Sequence, residues 1–390
     1  MQECYLPTGN EWVSLPTLQA RTGALESFSF LHMGYKGLIE QRGGASLPLM
    51  TPFFETEGER ASLQSLTWGR KSDWIPTFCG TAGSLAVEGM LLAPVGERGF
   101  LYQLTVRSTS DKPLSSTFGL EGCWASAWHC VNEDKEIDGA RRCYTSLWND
   151  SLIFDMRCGL PLFAFAPMMD QPCSSTFQET DAGIVYRLAH ACTLEPGEAV
   201  TVTFYWGVGF EEVAAATSAK EMLRQGWQHE LQVTTDWLDA RRWPIPDAQL
   251  ERLYNTNLFF CLFYSAGITL DTEELVLVTS RSPRYYVSAA YWDRDSLLWS
   301  FPTVVDADPA LARRMLDYVF GRQRRNLGVH SRYIDGTVLE PGFELDELMA
   351  PVLALERYVG ATGDRDCLED NAIRSGLTDI LRTLRTKRHR

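Results

Sequence analysis

The stretch Tyr291-Trp292-Asp293-Arg294-Asp295-Ser296-Leu297-Leu298-Trp299 concentrates two carboxylates, a guanidinium and two indoles. A guanidinium presents donors in a rigid plane, carboxylates accept, and indole faces supply flat apolar surface. Together these suit a ligand covered in hydroxyl groups, most simply a sugar. On an α-helical wheel of about 100° per residue, Trp292, Asp295, Ser296 and Trp299 share one side, and Leu297, Leu298, Phe301, Val304 and Val305 the other. One face packs and the other is free to grip. Arg294 falls on the packing side, so it joins the gripping face only if the helix proper starts after it. Pro302 is expected to bend or end the helix. The competing reading is a buried Arg294–Asp295 ion pair beside two core tryptophans.

A second segment carries comparable chemistry: His330-Ser331-Arg332-Tyr333-Ile334-Asp335-Gly336, then Glu340-Pro341-Gly342-Phe343-Glu344-Leu345-Asp346-Glu347. Asp335-Gly336 and Pro341-Gly342 read as turns, which puts His330, Arg332 and Tyr333 near a loop leading into a helix with an acidic first turn. Such acids ordinarily complement the helix dipole, which is the plain reading of Glu344 and Glu347. Asp346 shares its side with Met349 and Leu353 and is the stronger candidate for other work. His330 suits either a sugar hydroxyl or ordinary surface. Cleaving a glycosidic bond takes two carboxyl groups, one protonated acid for the leaving oxygen and one base or nucleophile. The chain has carboxylates to spare, but spacing in sequence does not fix their separation in space.

The elements that must position these residues follow from pattern and composition. With 390 residues, 45% hydrophobic, 12% aromatic and 22% charged, the chain suits about two globular domains with ordinary cores. A formal net charge of −14 argues against a general phosphate-binding surface, so nucleic acid is not an expected partner. The start at Met1 has neither a basic n-region nor an apolar h-region. The longest apolar run, Leu258 to Tyr264, is far short of the ~20 residues that span a bilayer. Neither export nor membrane insertion is expected, and the reading is a soluble, cytoplasmic protein. Ten scattered cysteines, without C-x-x-C or a zinc-spaced His cluster, read as reduced thiols and no metal site. Neither a P-loop nor a Rossmann fingerprint is present, so no nucleotide cofactor is expected.

From about Phe28 to Phe210 the text is strand and turn. Phe100, Tyr102, Leu104 and Val106 alternate with their neighbours, as do Val200, Val202, Phe204, Trp206 and Val208, and Leu194-Glu195-Pro196-Gly197-Glu198 is a tight turn. Many short strands predict a β-sandwich over residues 1–210. Residues 211–246 read as a linker of one or two helices closed by Trp243-Pro244-Ile245-Pro246. From 247 onward the pattern is helical. Asp247 caps a helix to about Ala266 whose Leu258–Tyr264 run must be buried all round, and Asp308-Pro309 opens another helix to Phe320. Phe343 to Val359 reads as a largely apolar, interior helix that Pro351 should kink or split, and Asp366 to about Thr386 as one more. Arg382 to Arg390 is a basic tail, readable as solvated or as a chain cut short or read out of frame.

With Trp292-Asp293-Arg294-Asp295 followed by Glu344-Leu345-Asp346-Glu347, the chain resembles the six-hairpin glycosidases, whose α/α toroid is often preceded by a β-sandwich. These include glucoamylases, debranching-type glucosidases and metal-independent exo-mannosidases. The β-then-α order agrees across the whole chain, while the motif evidence is confined to Ala290 to Val359. The resemblance implies a β-sandwich followed by an α/α toroid over 247–390, incomplete because only about half the helices of a closed toroid are supplied. It implies a cofactor-independent glycoside hydrolase acting on terminal sugars of α-linked oligosaccharides. Arg294 and Asp295 would hold hydroxyls, Trp292 would form a wall, and Asp346 or Glu344 would line the same funnel as candidate catalytic carboxyls. Asp293, Trp299, His330, Arg332 and Glu347 complete the expected substrate-binding set. In such enzymes the acid and base commonly lie on later loops, so one or both stand in doubt here. A glycoside phosphorylase of the same architecture and a non-catalytic carbohydrate-binding protein are the alternatives; the oligomeric state is not legible.

Overall fold

The computed structural model describes residues 4–147 and 149–387. Met1-Gln2-Glu3 and the Arg388-His389-Arg390 end of the basic tail therefore lie outside the described residues. The chain divides into two compact units, Met1–Ser29 with Glu40–Trp128 and Lys135–Ala240, and Phe30–Ile39 with His129–Asp134 and Arg241–Arg390.

The first unit contains an antiparallel sheet of eight strands and one of five, besides strands of a six-stranded sheet that include Thr8–Gly9 and Val13–Leu15. The two alternating segments read from the sequence are neighbours in the larger sheet. Gly99–Ser108 pairs with Ala199–Gly209, setting Phe100 opposite Trp206, Tyr102 opposite Phe204 and Leu104 opposite Val202. The expected turn after Leu194 joins a strand of the five-stranded sheet, Gly183–Leu194, to this strand of the eight-stranded one, with Gly197 at φ 79°. Rings from both sheets meet between them: Trp124 and Tyr186 on one side, Phe154, Phe165 and Trp206 on the other. Phe154 lies 5.2 Å from Tyr186, and Trp124 5.1 Å from Phe165. Large aromatic faces removed from water in this way supply most of the cohesion of such a core.

The helices expected as a linker, Glu212–Gln225 and Trp227–Asp239, are parted at Gly226 and group with this first unit. Ala215, Ala216 and Ala219 are completely buried against Ala164, Ala166 and Ile153 of the sheet. Small residues on both surfaces let the helix approach closely. At Gly207 a Cβ would lie 2.1 Å from the Ala215 carbonyl oxygen, which only glycine avoids.

The second unit is helical. Asp247 caps Ala248–Tyr264 by accepting from the Gln249 and Leu250 N–H groups at 2.9 Å, and no residue from Leu258 to Tyr264 is exposed. Asp308 caps Pro309–Gly321 through the Leu311 N–H. Leu345–Thr362 is one unbroken helix. Pro351 neither splits nor ends it, and the cost is the bond its missing N–H would have given the Glu347 carbonyl. The side of this helix expected to be interior is partly open, with Leu345 and Leu353 55% and 52% exposed. The last helical stretch is broken at Asp370 into a short 3₁₀ turn and Asn371–Lys387. The Asp370 carboxylate accepts from Ala372 N–H and so starts a new helix. Among the described residues no helix is long and apolar enough to cross a membrane.

Candidate functional site

Asp293 leads into a π-helix, Arg294–Ser300, that runs straight on into the α-helix Phe301–Ala307. Phe301 donates its N–H to the Ser296 carbonyl, five residues back. In a ladder of this kind residues five apart come round to nearly the same side, whereas in an α-helix they diverge. Arg294 and Trp299 therefore share a side, with Asp295 between them, and the α-wheel assignment of Arg294 to the packing face is corrected. Leu297, Phe301, Val304 and Val305 are buried as expected, but Ser296 is buried with them. Pro302 does not end the helix, which continues to Ala307.

Beneath this segment lies a sealed ionic nest. The segment expected as a loop is a small hairpin, Val329–Arg332 with Val338–Phe343, turned at Gly336 with φ 80°. Tyr291 and Arg332 exchange both backbone hydrogen bonds at 2.9 and 3.0 Å, and the Arg332 guanidinium lies over the Tyr291 ring. Arg332 Nη2 donates to Asp293 Oδ2, and Tyr291 Oη donates to Asp293 Oδ1. Glu347 Oε2 accepts the backbone N–H of Asp293 at 2.6 Å and lies 3.4 Å from that of Arg294, so a carboxylate from another helix caps the start of the π segment. Asp293, Arg332 and Glu347 are all 0% exposed. Burial, then the nearby Asp293 charge, pushes the Glu347 carboxyl up to about 8.

Above the nest Arg294 is open to solvent and fanned by carboxylates. Its Nη1 donates to Asp346 Oδ2 at 2.7 Å and to Glu344 Oε2 at 3.1 Å, while Asp295 Oδ2 lies 3.5 Å from its Nε. The hydrogen bond from Arg294 holds the Asp346 carboxyl below the ordinary carboxylate range, and burial raises that of Asp295 against the pull of the same guanidinium. Glu344 also meets His330 Nδ1 at 2.7 Å, and His330 stands edge-on to Trp292. The alternative of a buried Arg294–Asp295 pair beside two core tryptophans does not hold here. Both side chains keep solvent access, and although Trp292 is buried, Trp299 is 67% exposed.

These groups border a cleft of about 360 Å³, at the small end of the range for ligand pockets. Of the residues singled out in the sequence, Trp292, Arg294, Asp295, Trp299 and His330 line it. Glu344 and Asp346 reach it through Arg294. Asp293, Arg332 and Glu347 do not reach it, because the ionic nest encloses them. They therefore cannot touch a ligand directly and instead position those that can. Five further lining residues, Asn132, Tyr285, Tyr286, Val287 and Glu340, were not singled out. The adjacent tyrosines were a legible signal, whereas Asn132 comes from a distant strand region with no local motif.

No family model matches the chain, and no curated protein matches it in sequence. Solved structures do match in fold. A human-microbiome protein named as a kojibiose phosphorylase superimposes with a TM-score of 0.61 over 96% of this chain and 56% of its own, at 11% identity. A bacterial glucoamylase complexed with acarbose gives 0.52 over 92% of this chain and 56% of its own, at 10% identity. The chain thus spans a little over half the length of each. The expected likeness to six-hairpin glycosidase-like enzymes, with a β-sandwich-like region before the helices, is present in the fold.

Proposed function

We propose that the cleft seats the terminal sugar of an α-linked oligosaccharide and that the chain is, or forms part of, a glycoside hydrolase. The observation that carries this reading is the half-exposed Arg294 guanidinium, held by Glu344 and Asp346 beside Asp295 at a cleft bordered by Trp292 and Trp299. Pre-oriented donors and acceptors next to an aromatic wall suit a ring whose rim is polar and whose faces are not. In this reading Arg294 and Asp295 hold hydroxyls, Trp292 and His330 form the inner wall, and the helices from 247 onward are the first part of an α/α toroid. Glycosidic cleavage divides two carboxyl groups into acid and base. Asp346, kept ionised by Arg294, suits the unprotonated role, and its neighbour Glu344 shares that clamp.

The fold likeness to a phosphorylase supports phosphorolysis as a second reading. Monosaccharide release from α-glucosides, α-mannosides and their oligosaccharides, measured with and without inorganic phosphate, separates the two. Hydrolysis predicts free sugar in either condition; phosphorolysis predicts sugar phosphate that requires phosphate. Saccharide binding without release would favour the non-catalytic reading, and absence of both would overturn the assignment.

A further inference from the structure

A second cleft in the helical unit encloses about 670 Å³ between the C-terminal half of Pro309–Gly321, the 3₁₀ turn Gln323–Asn326, the strand Leu275–Leu277 and the hairpin turn at Asp335. It shares no lining residue with the cleft beside Arg294. Three guanidiniums border it, Arg314, Arg322 and Arg325, with three carboxylates, Glu274, Asp317 and Asp335. Counted by type these charges cancel, but counted by partner they do not.

Each carboxylate already has a cation. Glu274 pairs with Arg322. Asp317 lies one turn beyond Arg314 on the same helix, yet it meets Arg313 Nη2 instead, at 3.1 Å, and Asp335 meets Lys36 Nζ at 3.2 Å. Neither Arg313 nor Lys36 lines the cleft, so two of its acids are neutralised from outside and two of its guanidiniums are left without one. Arg325 donates from Nε and Nη2 to the Gly336 and Asp335 carbonyls at 3.2 and 2.7 Å, which fixes its plane without neutralising it. Among the described residues Arg314 has neither a hydrogen-bond nor an ion-pair partner. Both side chains are exposed. On a chain of net charge −14 this is a local exception, and such an exception attracts an anion to one place rather than to the surface at large.

Guanidinium forks match the oxygens of a phosphate group, and a dianion gains most from two of them. The carboxylates decide the rest of the ligand. They repel a bare polyanion, as does the partial negative charge at the C-terminal end of Pro309–Gly321, but they accept readily from hydroxyl groups. The volume falls in the range of small-molecule pockets and exceeds what one phosphate ion fills.

We propose that this cleft binds a phosphate monoester of a small polyhydroxylated molecule, a phosphorylated sugar in the simplest case. Arg314 and Arg325 take the phosphate, and Glu274 and Asp317 accept from hydroxyls. The site is separate from the cleft beside Arg294 and does not depend on what that cleft binds.

The test is titration calorimetry on the full chain with glucose 6-phosphate, mannose 6-phosphate and glycerol 3-phosphate, then with inorganic phosphate and a short polyphosphate. The unaltered chain, Arg314→Gln and Arg294→Met are compared, with near-ultraviolet circular dichroism as the fold check. Arg314 is exposed and unbonded, so its replacement spares the fold. The expected result is that at least one ester binds roughly tenfold tighter than inorganic phosphate or polyphosphate, and more weakly as salt is raised. Arg314→Gln should weaken that ester by at least about tenfold through a lost charge-assisted bond, and Arg294→Met should leave its affinity unchanged. Four outcomes overturn the proposal: no ester binds; Arg314→Gln binds as the unaltered chain does; the loss appears in Arg294→Met alone, which puts the anion in the other cleft; or phosphate and polyphosphate bind as tightly as any ester, which leaves a bare charged patch.

Discussion

Arg332 and Arg294 are both set among carboxylates, within one helical unit, and differ in exposure. Arg332 is sealed with Asp293 and Glu347, and its guanidinium is enclosed by carboxylate, carbonyl and ring. Arg294 meets Glu344, Asp346 and Asp295 at a cleft where water still reaches it. A buried ionic group does little for a ligand, because no ligand can reach it. Its mutual attraction mainly offsets the cost of taking the charges out of water. A half-exposed one, held in place but not enclosed, has donors and acceptors left over. The nest fixes the backbone from which the fan projects, through the Glu347 carboxylate at the Asp293 N–H.

The contrast breaks most plainly at Arg332. Arg332→Met leaves Asp293 buried without its cation, while Glu347 keeps Arg294 Nη2 at 3.7 Å; it should cost about 3–5 kcal/mol in urea unfolding, whereas Arg332→Met with Asp293→Leu should recover much of it. A loss below about 1 kcal/mol in the single variant would contradict the sealed-nest description.

The next effect is on pH. With a folded-state value of about 8 against 4.5 for an ordinary glutamate, Glu347 binds its proton more tightly when folded. Stability should therefore be greatest below about 4.5 as far as this group is concerned. It should fall as pH rises toward 8, by at most about 1.4 kcal/mol per pH unit, and level off above. In the sheet-rich unit Glu230 is raised to about 7 by burial and then by Glu97, and contributes a similar fall that ends earlier. Glu347→Gln should remove its share of the slope from about 4.5 to 8, including what persists between about 7 and 8, and Glu230→Gln only its own share below about 7. A chain equally stable at pH 5 and pH 8 would speak against both assignments.

Arg294→Met should alter stability by less than about 1 kcal/mol, since partly solvated ion pairs contribute little. Saccharide affinity should nonetheless drop by roughly 10- to 100-fold through lost charge-assisted hydrogen bonds. Equal affinities would remove Arg294 from the site. Smallest of all, Tyr286→Ala should shift stability by under about 0.5 kcal/mol, the ordinary figure for an exposed residue; a larger loss would mean that the ring supports the fold.

The juxtaposition of Trp292-Asp293-Arg294-Asp295 with Glu344-Leu345-Asp346-Glu347 was legible because both are dense local motifs, and the structure brings them within hydrogen-bond reach. Strand periods at Gly99–Ser108 and Ala199–Gly209 and the Asp247 and Asp308 caps were legible for the same reason. They depend on neighbours in the chain. Which charges are enclosed was not legible, because the enclosure of Asp293 is decided by Arg332 on a hairpin well downstream. Asn132 was invisible on similar grounds. Arg294 was misplaced for a narrower reason, since a wheel at the α-helical period assumes a ladder that the chain does not form between Arg294 and Ser300.

That ladder makes the segment unusually sensitive to length. A π turn accommodates more chain per revolution than an α turn, so removing a single codon between Ser296 and Leu298 could restore an ordinary α-helix without disturbing Phe301–Ala307. The helix would survive, and Trp299, then four residues from Arg294 in an α-helix, would stay on the same side as the guanidinium. A one-residue deletion here would therefore preserve the pairing of guanidinium and indole at the cleft and act instead on the core, through loss of the buried Leu297 side chain.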